Sequence, residues 1–98
     1  RDEARNMAKA LVENRLAACV NILPKIESYF MWEGEAQFDE EALLIIKTTG
    51  ARFDTLREFV EDAHPYELPE IIAIPVTHGL SEYIDWVKKE SEGVPERE

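Results

Sequence analysis

Residues 26–46 read IESYFMWEGEAQFDEEALLII, and this stretch decides the fold. From Ile26 the side chains alternate. Ile26, Ser28, Phe30 and Trp32 fall on one face, and Glu27, Tyr29, Met31 and Glu33 on the other, which is the period of a strand. Glu33-Gly34 reads as a turn. A second strand follows from Ala36 through Phe38 to Leu43-Leu44-Ile45-Ile46, and its continuous apolar end predicts burial on both faces. The two runs make a long β-hairpin. Its arms exceed what a domain of this size needs, so the far end, Tyr29 to Phe38, is expected to project beyond a single core. Just upstream, Ala18 to Ile22 is a short apolar β segment that Pro24 interrupts.

Helical periodicity flanks the hairpin. Ala4, Ala8, Leu11 and Val12, with Met7 beside them and Leu16 closing the stripe, predict a first helix whose wet face holds Asp2, Glu3, Arg5, Lys9, Glu13 and Asn14. Phe53, Leu56, Phe59, Val60 and Ala63 predict a second helix over 51–63. His64-Pro65 ends it, because proline removes a donor and pushes its predecessor out of helical geometry. Glu70 to Val76 (EIIAIPV) reads as a third strand, placed at a sheet edge by Pro75. A third helix is expected from Ser81 to about Glu90, and residues 91–98 as a frayed polar tail. The order resembles an α+β ferredoxin-like βαββαβ sandwich with an extra C-terminal helix. It lacks a strand before the first helix, which in that topology lies mid-sheet between the strand at 42–49 and the strand at 70–76. Two apolar strands would then present unpaired N–H and C=O groups along facing edges. Residues upstream of Arg1, or a strand from a partner, would fill the slot.

The 98 residues suffice for one domain, residues 1–90, with a modest core. A charge of -10 excludes a nucleic-acid backbone or an anionic membrane as partner, but does not repel small cations. A single cysteine, Cys19, permits no intrachain disulfide. The absence of any membrane-length apolar run and a charged N-terminus point to a reducing, cytoplasmic compartment.

Several segments carry a family resemblance: residues 11–22 (LVENRLAACVNI), 29–35 (YFMWEGE), 44–48 (LIIKT), 64–74 (HPYELPEIIAI), 75–79 (PVTHG) and 83–87 (YIDWV). In order and spacing they resemble the CutA family of divalent-cation tolerance proteins, with RLAACVN and HPYELPE the most specific. The resemblance implies a homotrimer of ferredoxin-like subunits whose hairpins and C-terminal segments pack across subunit boundaries. Tyr29, Phe30, Trp32, Phe38 and Trp86 are the interface residues it implies. An aromatic strand pair of this kind is a liability unless a neighbour covers it. Family members begin with an apolar strand, often bearing a metal-binding cysteine, and no site that depends on that strand carries over.

Three residues could bind a divalent ion, copper or zinc. His64 and Glu70 flank a loop that Pro65 and Pro69 stiffen, so an imidazole and a carboxylate are presented at small ordering cost. By the resemblance these positions face an inter-subunit cleft. Cys19 offers a soft thiolate, but a lone cysteine is more often a small buried hydrophobe, and that role is the one favoured here. No paired-cysteine zinc spacing, phosphate loop or activated nucleophile is present, so a binding protein is expected, not an enzyme. The competing expectation is a trimeric module like the nitrogen-regulatory P-II proteins, holding a small ligand between subunits. The scarcity of Lys and Arg near HPYELPE argues against an anion there.

Overall fold

The computed structural model describes residues 2–64 and 68–92. Helix α1 spans Asp2–Glu13, strand β1 Cys19–Trp32 and strand β2 Glu35–Lys47. A 3-10 turn, Gly50–Arg52, leads into α2 (Phe53–Ala63), and α3 (Ser81–Glu90) follows. The helices fall where periodicity places them, and the architecture is α+β.

The hairpin is the dominant element. β1 and β2 pair antiparallel from Cys19↔Lys47 to Trp32↔Glu35, and form the one sheet among the described residues. Fourteen residues at about 3.3 Å each give β1 a length of about 46 Å, close to the longest molecular dimension of 51 Å. Its two-residue turn uses positive φ at both centres, Glu33 at 52° and Gly34 at 85°. That is the turn whose twist matches right-twisted strands. Pro24 does not split β1 in two. It sits in a bulge between Leu23 and Ile26, where a missing N–H costs the ladder least. Further along the arm Glu27 lies directly opposite Glu40, and Tyr29 opposite Phe38 with ring centroids 5.1 Å apart.

The core is small and sits at the base of the hairpin. Leu11, Leu16, Ala17, Leu56 and Val60 are buried, and Met7, Val20, Ile46, Phe59 and Ile71 pack against them. α1 ends in a Schellman motif: Leu16 N–H bonds Leu11 C=O at 2.9 Å, and Arg15 N–H bonds Val12 C=O at 3.0 Å. The left-handed residue is Arg15 (φ 57°), where glycine is usual. Its guanidinium explains the choice, donating to Lys89 C=O at 2.8 Å and pairing with Glu90 at 3.6 Å. Arg15 therefore ends α1 and anchors the C-terminus of α3 together. Ser91, fully buried, donates its hydroxyl to Val87 C=O at 2.6 Å. The packed domain thus includes Ser91, one residue into the expected tail; Gly93–Glu98 lie outside the described residues.

The expected third strand is a correction. Residues 70–77 form no strand. Ile71 reaches the core, but Ile72, Ile74 and Val76 are 71%, 81% and 77% exposed. The alternation is a strand's, yet a strand exists only as half of a ladder, and no strand lies beside this segment among the described residues. Among the described residues the order is therefore α1, β1, β2, α2 and α3, with one two-stranded antiparallel sheet.

Glu33 in left-handed geometry carries strain that asparagine tolerates better. Glu33→Asn should raise stability by about 0.5–1 kcal/mol, read as a higher denaturant midpoint at unchanged slope.

Candidate functional site

His64 is the C-cap of α2, with extended backbone (φ -115°, ψ 110°) and its N–H bonded to Val60 C=O at 2.9 Å. The half-buried imidazole lines an open cleft of about 240 Å³ between α1 and α2. α1 contributes Glu3, Asn6, Met7 and Ala10, and α2 contributes Phe59 and Ala63. The four α1 residues are spaced i, i+3, i+4, i+7, so they share one helix face. Alanines at two of the lining positions leave the space open. No Lys or Arg lines it.

Glu70 is exposed, beyond half-buried Pro69. Pro65, Tyr66 and Glu67 lie outside the described residues, so the stiffened loop expected from the two prolines is described only in part. Cys19 is half-buried at the start of β1, and Lys47 Nζ lies 3.8 Å from its sulfur while also donating to the Asn21 side-chain carbonyl. Val20 and Ile46 face the helices and the core. Their neighbours Cys19 and Lys47 therefore face the opposite side of the sheet. His64 belongs to the helix side. Within one subunit the sheet stands between the thiol and the imidazole.

No three His, Cys, Asp or Glu residues come together as a metal cluster among the described residues. Glu3 and Met7 escaped the sequence reading, which set Glu3 on the wet face and Met7 beside the core stripe. Their signal was the i, i+4 spacing, legible only once α2 is known to end opposite it.

The open side of the sheet is apolar. Leu23, Leu43 and Ile45, on the face away from the helices, are each about 40% exposed. Along the arm Tyr29, Phe30 and Phe38 are exposed and Trp32 is half-buried; Trp86 is exposed on α3, its ring 5.6 Å from that of Tyr83.

With this geometry in hand, the comparison with known proteins is direct. The family model described as CutA1 divalent ion tolerance protein matches residues 1–90. The chain belongs to the CutA1 family. A divalent-cation tolerance protein CutA from Thermus thermophilus is 52% identical over 86 residues, covering 88% of this chain and 84% of that protein. The solved structure of a Cut A1 protein from that organism superposes with a TM-score of 0.91 at 49% identity, over 94% of this chain and 89% of the other. The chloroplastic CutA of Arabidopsis thaliana is 47% identical, over 90% of this chain but only 48% of its own length. A CutA from Nostoc described as PII-like superposes with a TM-score of 0.87 at 35% identity, over 95% and 90% of the two chains. The chain thus spans most of the bacterial relatives and about half of the plant one. No helix among the described residues is long and apolar enough to cross a membrane.

Because the backbone bond that ends α2 does not involve the imidazole, His64→Ala should leave the CutA1 domain folded. Its far-ultraviolet circular dichroism spectrum should keep the helical signal of the unsubstituted chain.

Proposed function

We propose that this chain is a cytoplasmic, non-enzymatic homotrimer that contributes to divalent-cation tolerance by binding metal ions, copper foremost, at sites that His64 and Glu70 supply between subunits. What carries the trimer is surface. A compact monomer of 11.3 kDa exposes about 5,700 Å², whereas this chain exposes 7843 Å². The excess, about 2,100 Å², is the scale of a stable protein–protein interface, and the unpaired segment at Ile72, Ile74 and Val76 contributes to it beside the hairpin. Much of it is apolar and contiguous in kind: the open sheet face at Leu23, Leu43 and Ile45, then Tyr29, Phe30, Trp32 and Phe38 along the arm. A closed three-fold assembly covers such a surface without leaving a free patch. In this reading the full ferredoxin-like sheet forms when a further strand pairs between β2 and residues 70–76.

What supports a cation is the family's name and the chemistry of the cleft. The chain's charge of -10 favours cations, and the cleft beside His64 holds a carboxylate and no basic side chain. Cys19 can share a site with His64 only through a neighbouring subunit, since the sheet separates them within one. A second reading follows from the PII-like description of the Nostoc relative: a small metabolite held in an inter-subunit cleft. The lack of basic side chains around His64 weighs against an anionic one.

Two measurements test these proposals. Leu23→Asp with Ile45→Asp should convert the trimer to monomer in size-exclusion chromatography with light scattering; a wild-type chain that runs as a monomer at micromolar concentration rejects the assembly. Calorimetric titration with copper(II) and zinc(II) should give a heat that His64→Ala reduces. No heat with either ion, together with a metabolite that raises the melting temperature, selects the second reading.

A further inference from the structure

We propose that residues 72–90 form a strap that opens and closes as one piece on the rest of the domain, and that Arg15 is the catch that holds its C-terminal end. The strap is pinned at two places. At one end Ile71 packs against the core. At the other the Arg15 guanidinium donates to Lys89 C=O at 2.8 Å and pairs with Glu90 at 3.6 Å. Between these points little is held. Ile72, Ile74, Val76 and Leu80 are exposed, and α3 has no buried residue. Among the described residues no backbone hydrogen bond runs from residues 70–92 to the rest of the chain.

Within itself the strap is coherent. The turn before α3 packs on the helix, since a Cβ at Gly79 would stand 2.8 Å from Ile84 Cδ1. Ile84 N–H bonds Leu80 C=O at 3.0 Å, and the Ser91 hydroxyl closes the last turn on Val87. A segment with internal bonds and few outward ties opens at a lower free energy than the whole domain unfolds. The body it closes on is tied differently, by the ladder from Cys19 to Trp32 and by buried Leu11, Leu56 and Val60. The catch has a cost that shows its use. Arg15 holds a left-handed backbone in which glycine would carry no strain. A charged donor to a carbonyl makes a stronger bond than a neutral one, and offsets that strain only while the strap is closed. Arg15→Gly therefore separates the two roles: it keeps the turn that ends α1 and deletes the catch.

The test is amide hydrogen exchange of the full chain, read by mass spectrometry or NMR. In the unsubstituted chain the amides of residues 85–91 should exchange at least about tenfold faster than those of Leu11 and Val60. Arg15→Gly should speed residues 85–91 by a further tenfold or so, while leaving β1 and α2 within about twofold. Glu90→Gln, which removes the ion pair and keeps the bond to Lys89, should speed the same amides by about fivefold at most. If residues 85–91 are as protected as Leu11 and Val60, the strap is part of one cooperative unit and the proposal fails. If Arg15→Gly leaves them within about twofold, or speeds every element alike, Arg15 is no catch. Should Arg15→Gly not fold, Glu90→Gln decides: acceleration confined to α3 supports the catch, and none, or acceleration of every element, rejects it.

Discussion

The structure depends on one clamp: α1 lying across the base of the hairpin, with Leu11 wholly removed from water between Leu16, Leu56 and Val60. Among the described residues five apolar side chains are buried, so each carries a large part of the stability of a domain this small. The clamp also sets direction. It fixes Val20 and Ile46 toward the helices, and by the alternation of a strand that decision propagates along both arms, sending Cys19, Leu23, Leu43, Ile45 and Lys47 to the far side. From Leu11 outward, the helix layer acquires a cleft and the opposite face acquires an apolar surface.

These two sides suit different work. The cleft combines polar donors with an apolar wall and a rigid backing, the general form of a small-ligand site. The sheet face has no such convergence and offers area. Arg15 ties the C-terminal end of α3 to that of α1, and Ser91 closes the last turn of α3 on Val87.

The parts of this molecule that were legible in the sequence are those set by local periodicity. The hairpin arms from Ile26 to Ile46 and the three helices follow from spacing and turn chemistry alone, whereas His64 was named for its residue type and by the family resemblance. Residues 70–76 have the same legible alternation and still form no strand, because pairing is a property of two segments and one segment cannot declare it. Pro24 marked an irregularity, but only the register distinguished a bulge inside one strand from a gap between two. Arg15 gave no sign of its left-handed backbone, since glycine is the residue that signals that conformation. Its reason lies 74 residues away, at Lys89. Met7 and Glu3 were hidden for a related cause: a helix face shows what it can offer, but its counterpart is decided by packing.

The facing pair Glu27 and Glu40 on the hairpin arm has a consequence of its own. Two carboxylates opposed across a ladder repel, and outside the core the surrounding electrolyte moderates that repulsion. The clamp at Leu11 is indifferent to dissolved salt; the distal half of the arm is not. Dilute buffer would loosen the tip, and counter-ions gathering along the acidic strands would stiffen it, so the ionic strength of the medium becomes a dial on how firmly the most distant part of the chain is held.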